Sequence, residues 1–140
     1  MHRDLEIADH YSPDEEAAIR DKLLSYNINT FGELERKDLA IILRDNAGKP
    51  MGGLIGRTGR GWLLLKLLFV PEQLRRHGLG SQLLITAEEE AIRRGCRGCC
   101  LDTMSPKAVE FYRRHEYEVA GQLEELDGGH TVTWMKKRFR

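Results

Sequence analysis

The spacing of apolar residues differs from one part of the chain to another. Short apolar runs mark the predicted strands, and helical spacing marks the predicted helices. Short apolar runs bounded by turn residues predict strands over Leu39–Arg44, Met51–Thr58 and Trp62–Val70. The third run is almost continuously apolar and stops at Pro71, which cannot donate to a sheet ladder. We therefore expect it to be a central strand covered on both faces.

Helical spacing and helix-start signals occur in three segments. Residues 12–15 combine a serine N-cap, a proline at the first helical position and a capping-box glutamate, which predicts a helix to about Tyr26. Apolar residues at helical spacing predict a second helix from Leu79 to a stop at Gly95. Ser105-Pro106 opens a third helix that runs through Arg114.

Three further strands complete the predicted order of elements. Arg97–Thr103 reads as a short strand, and Tyr117–Leu126 with Thr131–Lys137 reads as a final hairpin. The order of helix, three strands, helix, strand, helix and two strands predicts an α/β (α+β) fold, a mixed sheet flanked by helices. No repeat or linker-like stretch divides the sequence, so we expect a single domain over residues 1–140.

The amino-acid composition argues against some classes of binding partner. The 22 basic and 22 acidic residues balance, which argues against a nucleic-acid partner, and pairs such as Arg113-Arg114 are interpreted as solvated faces. No stretch approaches the ~20 apolar residues of a membrane span, and the first residues lack a secretory signal. We therefore expect a cytoplasmic protein with no membrane partner.

The three cysteines, Cys96, Cys99 and Cys100, lie too close together in the sequence to form a disulfide framework. Their Cys-x-x-Cys spacing is compatible with a redox or zinc site, but no second pair of ligands follows. Buried strand cysteines are the favoured interpretation, and no metal is expected.

The segment from Val70 to Ser81 carries the candidate chemistry. It lies between the apolar strand and the second helix and reads VPEQLRRHGLGS. Glycines let a backbone approach a ligand closely, and the free N–H groups of a helix start suit a pyrophosphate. Leu83 occupies the third glycine position of a dinucleotide fingerprint and no Gly-Lys-Ser/Thr occurs, so two common phosphate motifs are excluded.

This segment resembles the acetyl-CoA motif of the GNAT acetyltransferases, Arg/Gln-x-x-Gly-x-Gly/Ala, which residues 75–80 match. The resemblance continues through Gly95-Cys96, the strand ending at 101–103, the helix with residues 108–112, and the terminal hairpin. It implies a mostly antiparallel sheet of about six to seven strands, splayed at the central strands. It also implies an N-acetyltransferase that uses acetyl-CoA as co-substrate, acts on a small-molecule or peptide amine, and forms a homodimer as relatives often do.

The resemblance also implies the site residues. Tyr112 matches the family tyrosine that protonates the departing thiolate. Cofactor-binding positions are expected in the strand end, in the glycine loop and at the start of the third helix: Leu68, Phe69, Val70, Arg75, Arg76, His77, Gly78, Leu79, Gly80, Ser81 and Ser105. Since no cysteine stands at a nucleophile position, direct transfer is expected.

Three residues depart from the family pattern. Ser105 replaces an asparagine that touches the cofactor in many relatives, and Glu116 replaces a glycine, which we expect to alter how the third helix ends. Lys66 stands where similar short proteins often have an aspartate, so a cation replaces a candidate base.

The base that takes the proton from the amine is left open by these departures. Lys66, Glu33, Glu35, His130 and water all remain candidates. A catalytically weak acyl-CoA-binding regulatory module remains as the alternative function.

Overall fold

A computed structural model describes residues 4–140, which fall into two compact units that divide after Leu34. The first unit contains helix α1, Pro13–Phe31. The Ser12 hydroxyl accepts a hydrogen bond from the Glu15 amide at 3.1 Å, and the Glu15 carboxylate accepts one from the Ser12 amide at 2.8 Å. The predicted capping box is therefore present. The helix continues past its predicted end at Tyr26 because no glycine or proline interrupts it before Gly32.

The second unit is built on one six-stranded sheet. Its strands follow the order β1-β2-β3-β4-β6-β5, and only the β3–β4 pair is parallel. This confirms the predicted mixed, mostly antiparallel sheet. The strands are β1 (Lys37–Arg44), β2 (Pro50–Gly59), β3 (Trp62–Phe69), β4 (Gly98–Thr103), β5 (Glu118–Leu126) and β6 (His130–Arg138).

Two helices of the second unit join this sheet, α2 (Leu79–Arg93) and α3 (Pro106–Arg114), and a single 3₁₀ turn, Glu72–Leu74, precedes α2. The apolar spacing that predicted α2 gives it one buried side, which packs on the sheet. No helix among residues 4–140 is long and apolar enough to cross a membrane. The most deeply buried side chains of the core are Leu54, Leu63, Leu84, Cys99 and Met135.

One charged group of α2, Glu88, is buried and fully paired. The ammonium of Lys137 on β6 donates to its Oε1 at 2.9 Å, and the hydroxyl of Tyr117 donates to its Oε2 at 2.7 Å. Burial, with smaller contributions from Cys99 and Glu88, raises the pKa of Tyr117, so its hydroxyl keeps its proton and acts as a donor. This cluster links α2 to the C-terminal strands, and both charges of the Glu88–Lys137 pair have a partner.

All three cysteines are free thiols; Cys96 and Cys99 are buried and Cys100 is half-buried. Burial raises the pKa of each thiol, that of Cys99 to about 12. The interpretation as buried strand cysteines is confirmed for Cys99, whereas Cys100 lies on β4 but is half-buried, and Cys96 is buried but precedes β4. No group of three or more candidate metal ligands occurs in the described part of the chain.

Helix α3 ends in a Schellman motif whose left-handed residue is Glu116, with φ 70°. The amide of Glu116 donates to the carbonyl of Arg113 at 3.0 Å, and that of Tyr117 donates to Tyr112 at 3.0 Å. Helix α2 ends with the same pair of bonds around Gly95. The expectation that Glu116 alters the helix end is therefore wrong: it adopts the left-handed conformation that glycine usually takes in this motif.

Glu116→Gly is expected to raise the free energy of unfolding by about 1 kcal/mol, because a left-handed conformation strains any residue that carries a Cβ. Urea unfolding measures this as a higher midpoint. Glu116→Gln is the control, since it keeps the strain and removes only the exposed ion pair to Arg140. A glycine variant no more stable than the glutamine variant would show that the strain is relieved elsewhere.

Candidate active site

Strands β3 and β4 pair over only part of their length and then part. Their parallel register joins Trp62 to Gly98, Leu63 to Cys99 and Leu64 to Cys100. Beyond these pairs, β3 stays bonded to β2 on one side and β4 to β6 on the other. The facing edges of β3 and β4 therefore open into a wedge, which confirms the predicted splay of the central strands.

A β-bulge in β3 lies at the mouth of this wedge. Gly56 pairs with Leu65 and Ile55 with Leu67, so Lys66 is an extra residue in the ladder. A bulge bends its strand and increases the local twist. This places the bend where β3 leaves β4 and puts Lys66 at the opening.

The glycine loop forms a cavity of about 350 Å³ at the start of α2. Seven predicted site residues come together in its wall, joined by two residues of α3. The lining consists of Val70, Arg75, Arg76, Gly78, Leu79, Gly80, Ser81, Phe111 and Arg114.

The loop backbone adopts an unusual conformation just before α2. Arg76 and Gly78 both have left-handed φ values, 69° and 76°. A non-glycine residue there is uncommon and occurs often at ligand sites. Gly78 is the N-cap of α2, whose first turn carries no acidic residue. The cavity therefore combines the free amides and positive dipole end of a helix start with three arginines, Arg75, Arg76 and Arg114.

Arg75 also contacts the end of β3. Its Nε donates to the carbonyl of Val70 at 2.8 Å, and its guanidinium lies 5.5 Å from the ring centroid of Phe69. Arg75 thus fixes the strand end to the loop and lines the cavity at the same time.

The sequence interpretation missed three residues of α3 and its cap: Phe111, Arg114 and His115. Ser81 Oγ and His115 Nε2 are 2.8 Å apart, and the rings of His115 and Phe111 lie 4.9 Å apart. Burial lowers the pKa of His115, so the neutral imidazole is favoured. The i, i+3, i+4 spacing of the three residues was the signal that places them on one side of α3, toward the start of α2.

Tyr112 is 5% exposed and lies between Phe111 and Tyr117, with ring centroids 5.2 and 5.5 Å away. Burial raises its pKa to about 12, with a smaller contribution from Cys99. Its hydroxyl donates no hydrogen bond to another described residue. Since no buried side-chain nitrogen or oxygen of residues 4–140 lacks a partner, this hydroxyl reaches solvent-accessible space.

Other predicted residues lie outside the glycine-loop cavity. Ser105 is the N-cap of α3, where its Oγ accepts from the amide of Ala108 at 3.2 Å. It lines a second cavity, of about 500 Å³, together with His130, Glu110 and Glu124.

The remaining predicted residues do not line one common cavity. Leu68 and Phe69 stand at the end of β3, and His77 is exposed in the loop. Glu33 belongs to the first unit and Glu35 to the second, and both are exposed. The structure therefore brings the loop residues together and leaves the base unassigned.

Residues 36–119 match the family model described as an acetyltransferase (GNAT) domain. The acetyltransferase Atu2258 of Agrobacterium fabrum is 45% identical over 133 residues, which cover 95% of this chain and 97% of that protein. A solved structure from Agrobacterium tumefaciens has 44% identity and a TM-score of 0.95, covering 98% of this chain and 100% of that one.

A more distant structure shares the fold alone. It comes from Bacillus anthracis, was solved in complex with acetyl coenzyme A, and has 15% identity and a TM-score of 0.65. The match covers 74% of this chain and 64% of that one.

Proposed function

Because the chain belongs to the GNAT family of N-acetyltransferases, we propose that it transfers the acetyl group of acetyl-CoA directly to a primary amine of a small molecule or peptide. The observation that carries this proposal is the 350 Å³ cavity of the glycine loop, which opens beside the end of β3. We treat residues 1–140 as one catalytic domain.

The fit of the cavity to acetyl-CoA rests on its chemistry. A pyrophosphate carries negative charge and several acceptor oxygens, which the amides from Arg76 to Ser81 and the start of α2 can satisfy. The side chains of Arg76 and Arg114 line the same cavity and add positive charge. The distant Bacillus anthracis structure of this fold holds acetyl coenzyme A, which agrees with the assignment.

The pantetheine arm and the thioester are assigned to the wedge between β3 and β4. Among the residues that the structure describes, the edge of β3 that faces β4 has no strand partner past Leu64, so backbone groups of Leu68, Phe69 and Val70 are available to the arm and to the acetyl oxygen. Ser105, which follows β4, is retained as a contact through its backbone because its hydroxyl caps α3.

The reaction needs one proton donor and one proton acceptor. The neutral amine attacks the thioester carbonyl, the C–N bond forms, and the C–S bond breaks. In our proposal Tyr112 gives its proton to the departing thiolate, and a proton leaves the amine nitrogen for water or for one of the candidate bases Lys66, Glu33, Glu35 and His130. The raised thiol pKa values of the three cysteines agree with direct transfer rather than an acetyl-cysteine intermediate.

Binding and turnover test this function separately. Acetyl-CoA at about 100 times its dissociation constant is expected to stabilise the folded protein by about 2.7 kcal/mol, with adenosine giving far less. A thermal shift measures this. Release of free CoA with an amine panel then measures transfer. Binding without turnover of any amine would favour the regulatory module, and no shift at millimolar acetyl-CoA would contradict both.

Two wider assignments also belong to the proposal. Three free cysteines suit a reducing compartment, so we assign the protein to the cytoplasm. The family resemblance supports a homodimer.

A further inference from the structure

Two exposed side chains of opposite charge flank the wedge between β3 and β4. The last paired residues are Leu64 and Cys100, and two residues further along each strand stand Lys66 and Asp102. Both are exposed. A cation and an anion therefore stand on the two walls of the opening at the same depth along the strands.

Both charges belong to the face of the sheet that is turned away from α2. On β4, Cys99 and Leu101 are buried in the core with α2, so the alternation of a strand turns Asp102 to the opposite face. On β3, Leu65 is buried, whereas Lys66 and Leu67 are exposed and share the bulge opposite Ile55.

These two charges are available to a ligand. In the described part of the chain neither Lys66 nor Asp102 forms an ion pair within 4.0 Å or a side-chain hydrogen bond. Another cation on this face, Lys136, already has a carboxylate 4.0 Å away, that of Glu118.

Apolar side chains adjoin the two charges on the same face. Trp134 pairs with Asp102 across β4 and β6 and is 43% exposed. Leu67, which follows Lys66, is 63% exposed. A ligand that places its charged end in the wedge can therefore lay an apolar group on an indole ring and a leucine.

We propose that the acceptor is an α-amino acid with an apolar or aromatic side chain, an inference that rests on the proposed function above. Lys66 binds the carboxylate, Asp102 binds the ammonium group, and Trp134 and Leu67 contact the side chain. Loss of one ammonium proton to water gives the neutral amine, which attacks the thioester carbonyl. The product is the N-acetyl amino acid, with free CoA.

The charges of this face distinguish such an acceptor from a diamine or polyamine. Arg57 lies in register with Leu64 on the same face, so it and Lys66 repel a second ammonium group near the wedge. A carboxylate on the carbon next to the amine is attracted instead.

Substrate pairs that differ only in the carboxylate test the proposal. CoA release with saturating acetyl-CoA is measured for L-phenylalanine, L-phenylalaninol and putrescine, together with the other apolar amino acids. Wild type is expected to favour the amino acid over its alcohol by roughly tenfold in kcat/KM, because the alcohol lacks the charge that Lys66 binds and has an amine of similar basicity. Putrescine is expected to be the poorest of the three.

Three variants test the roles proposed for Lys66 and Asp102. Lys66→Met should bring the ratio of amino acid to alcohol close to one, and Lys66→Glu should invert it. Asp102→Asn should lower kcat/KM roughly tenfold for both substrates and leave their ratio unchanged, since both carry the amine. Lys49→Glu, the same charge change at an exposed residue next to β2, should leave all values unchanged.

The acetyl-CoA thermal shift, expected to be equal in all variants, shows that they fold and bind. A Lys66→Met ratio within about twofold of wild type, or a wild-type preference for the alcohol or for putrescine, overturns the amino-acid acceptor and leaves acetyl transfer intact. Acetyl-CoA binding with no turnover of any amine overturns the proposed function and this acceptor with it.

Discussion

Gly80→Val is expected to abolish the thermal stabilisation by acetyl-CoA, while Gly80→Ala keeps it. A Cβ at Gly80 would lie 3.6 Å from two ring carbons of Phe111 and 3.9 Å from Cγ2 of Val70, which is ordinary contact. Alanine therefore fits, as the Gly/Ala alternative in the family motif implies. The two further methyl groups of valine would extend into the cavity between the loop and Phe111 and block the approach of a pyrophosphate.

The measurement is the shift in melting temperature with and without acetyl-CoA for wild type and both variants. Without ligand, both variants should be as stable as wild type or slightly more stable, because valine and alanine each have a higher helix propensity than glycine. The ligand-dependent stabilisation of about 2.7 kcal/mol at 100 times the dissociation constant should then vanish for valine alone. If valine retains the shift, the glycine loop is a helix start and not the pyrophosphate site.

The sequence predicted the order of the elements because each is specified by local signals. The capping box at residues 12–15, the apolar spacing of α2 and the short apolar runs of the strands agree with the structure. The glycine loop was predictable for the same reason, since a helix start and its glycines lie within one short segment.

Contacts between distant segments could not be predicted in this way. The Ser81–His115 hydrogen bond and the Glu88–Lys137 ion pair join residues 34 and 49 positions apart. The opposition of Lys66 and Asp102 depends on where the β3–β4 register ends and on a bulge, neither of which leaves a mark in the local sequence. Glu116 shows the converse: a residue with a side chain can adopt the left-handed conformation that glycine usually takes at a helix end.

Tyr112→Phe is expected to lower kcat by roughly 10²- to 10⁴-fold and to keep acetyl-CoA affinity within a few-fold, because it removes only the proton that the thiolate receives. Burial raises the pKa of Tyr112 to about 12, so the phenol is protonated at neutral pH. As the acid form is the active one, activity carried by Tyr112 is lost only as the pH rises toward 12. Any loss of kcat below about pH 10 belongs to another group.

Tyr117→Phe is the matched control, since it removes the hydroxyl of the neighbouring tyrosine in the same aromatic cluster. That hydroxyl donates to buried Glu88, so its loss should lower the free energy of unfolding by about 1–3 kcal/mol. Its kcat per folded molecule should stay near the wild-type value. The two tyrosines thus separate catalysis from packing: Tyr112→Phe should be stable and slow, and Tyr117→Phe should be less stable and active. A Tyr112→Phe enzyme with near-normal kcat would make Tyr112 a packing residue, with the thiolate protonated by water.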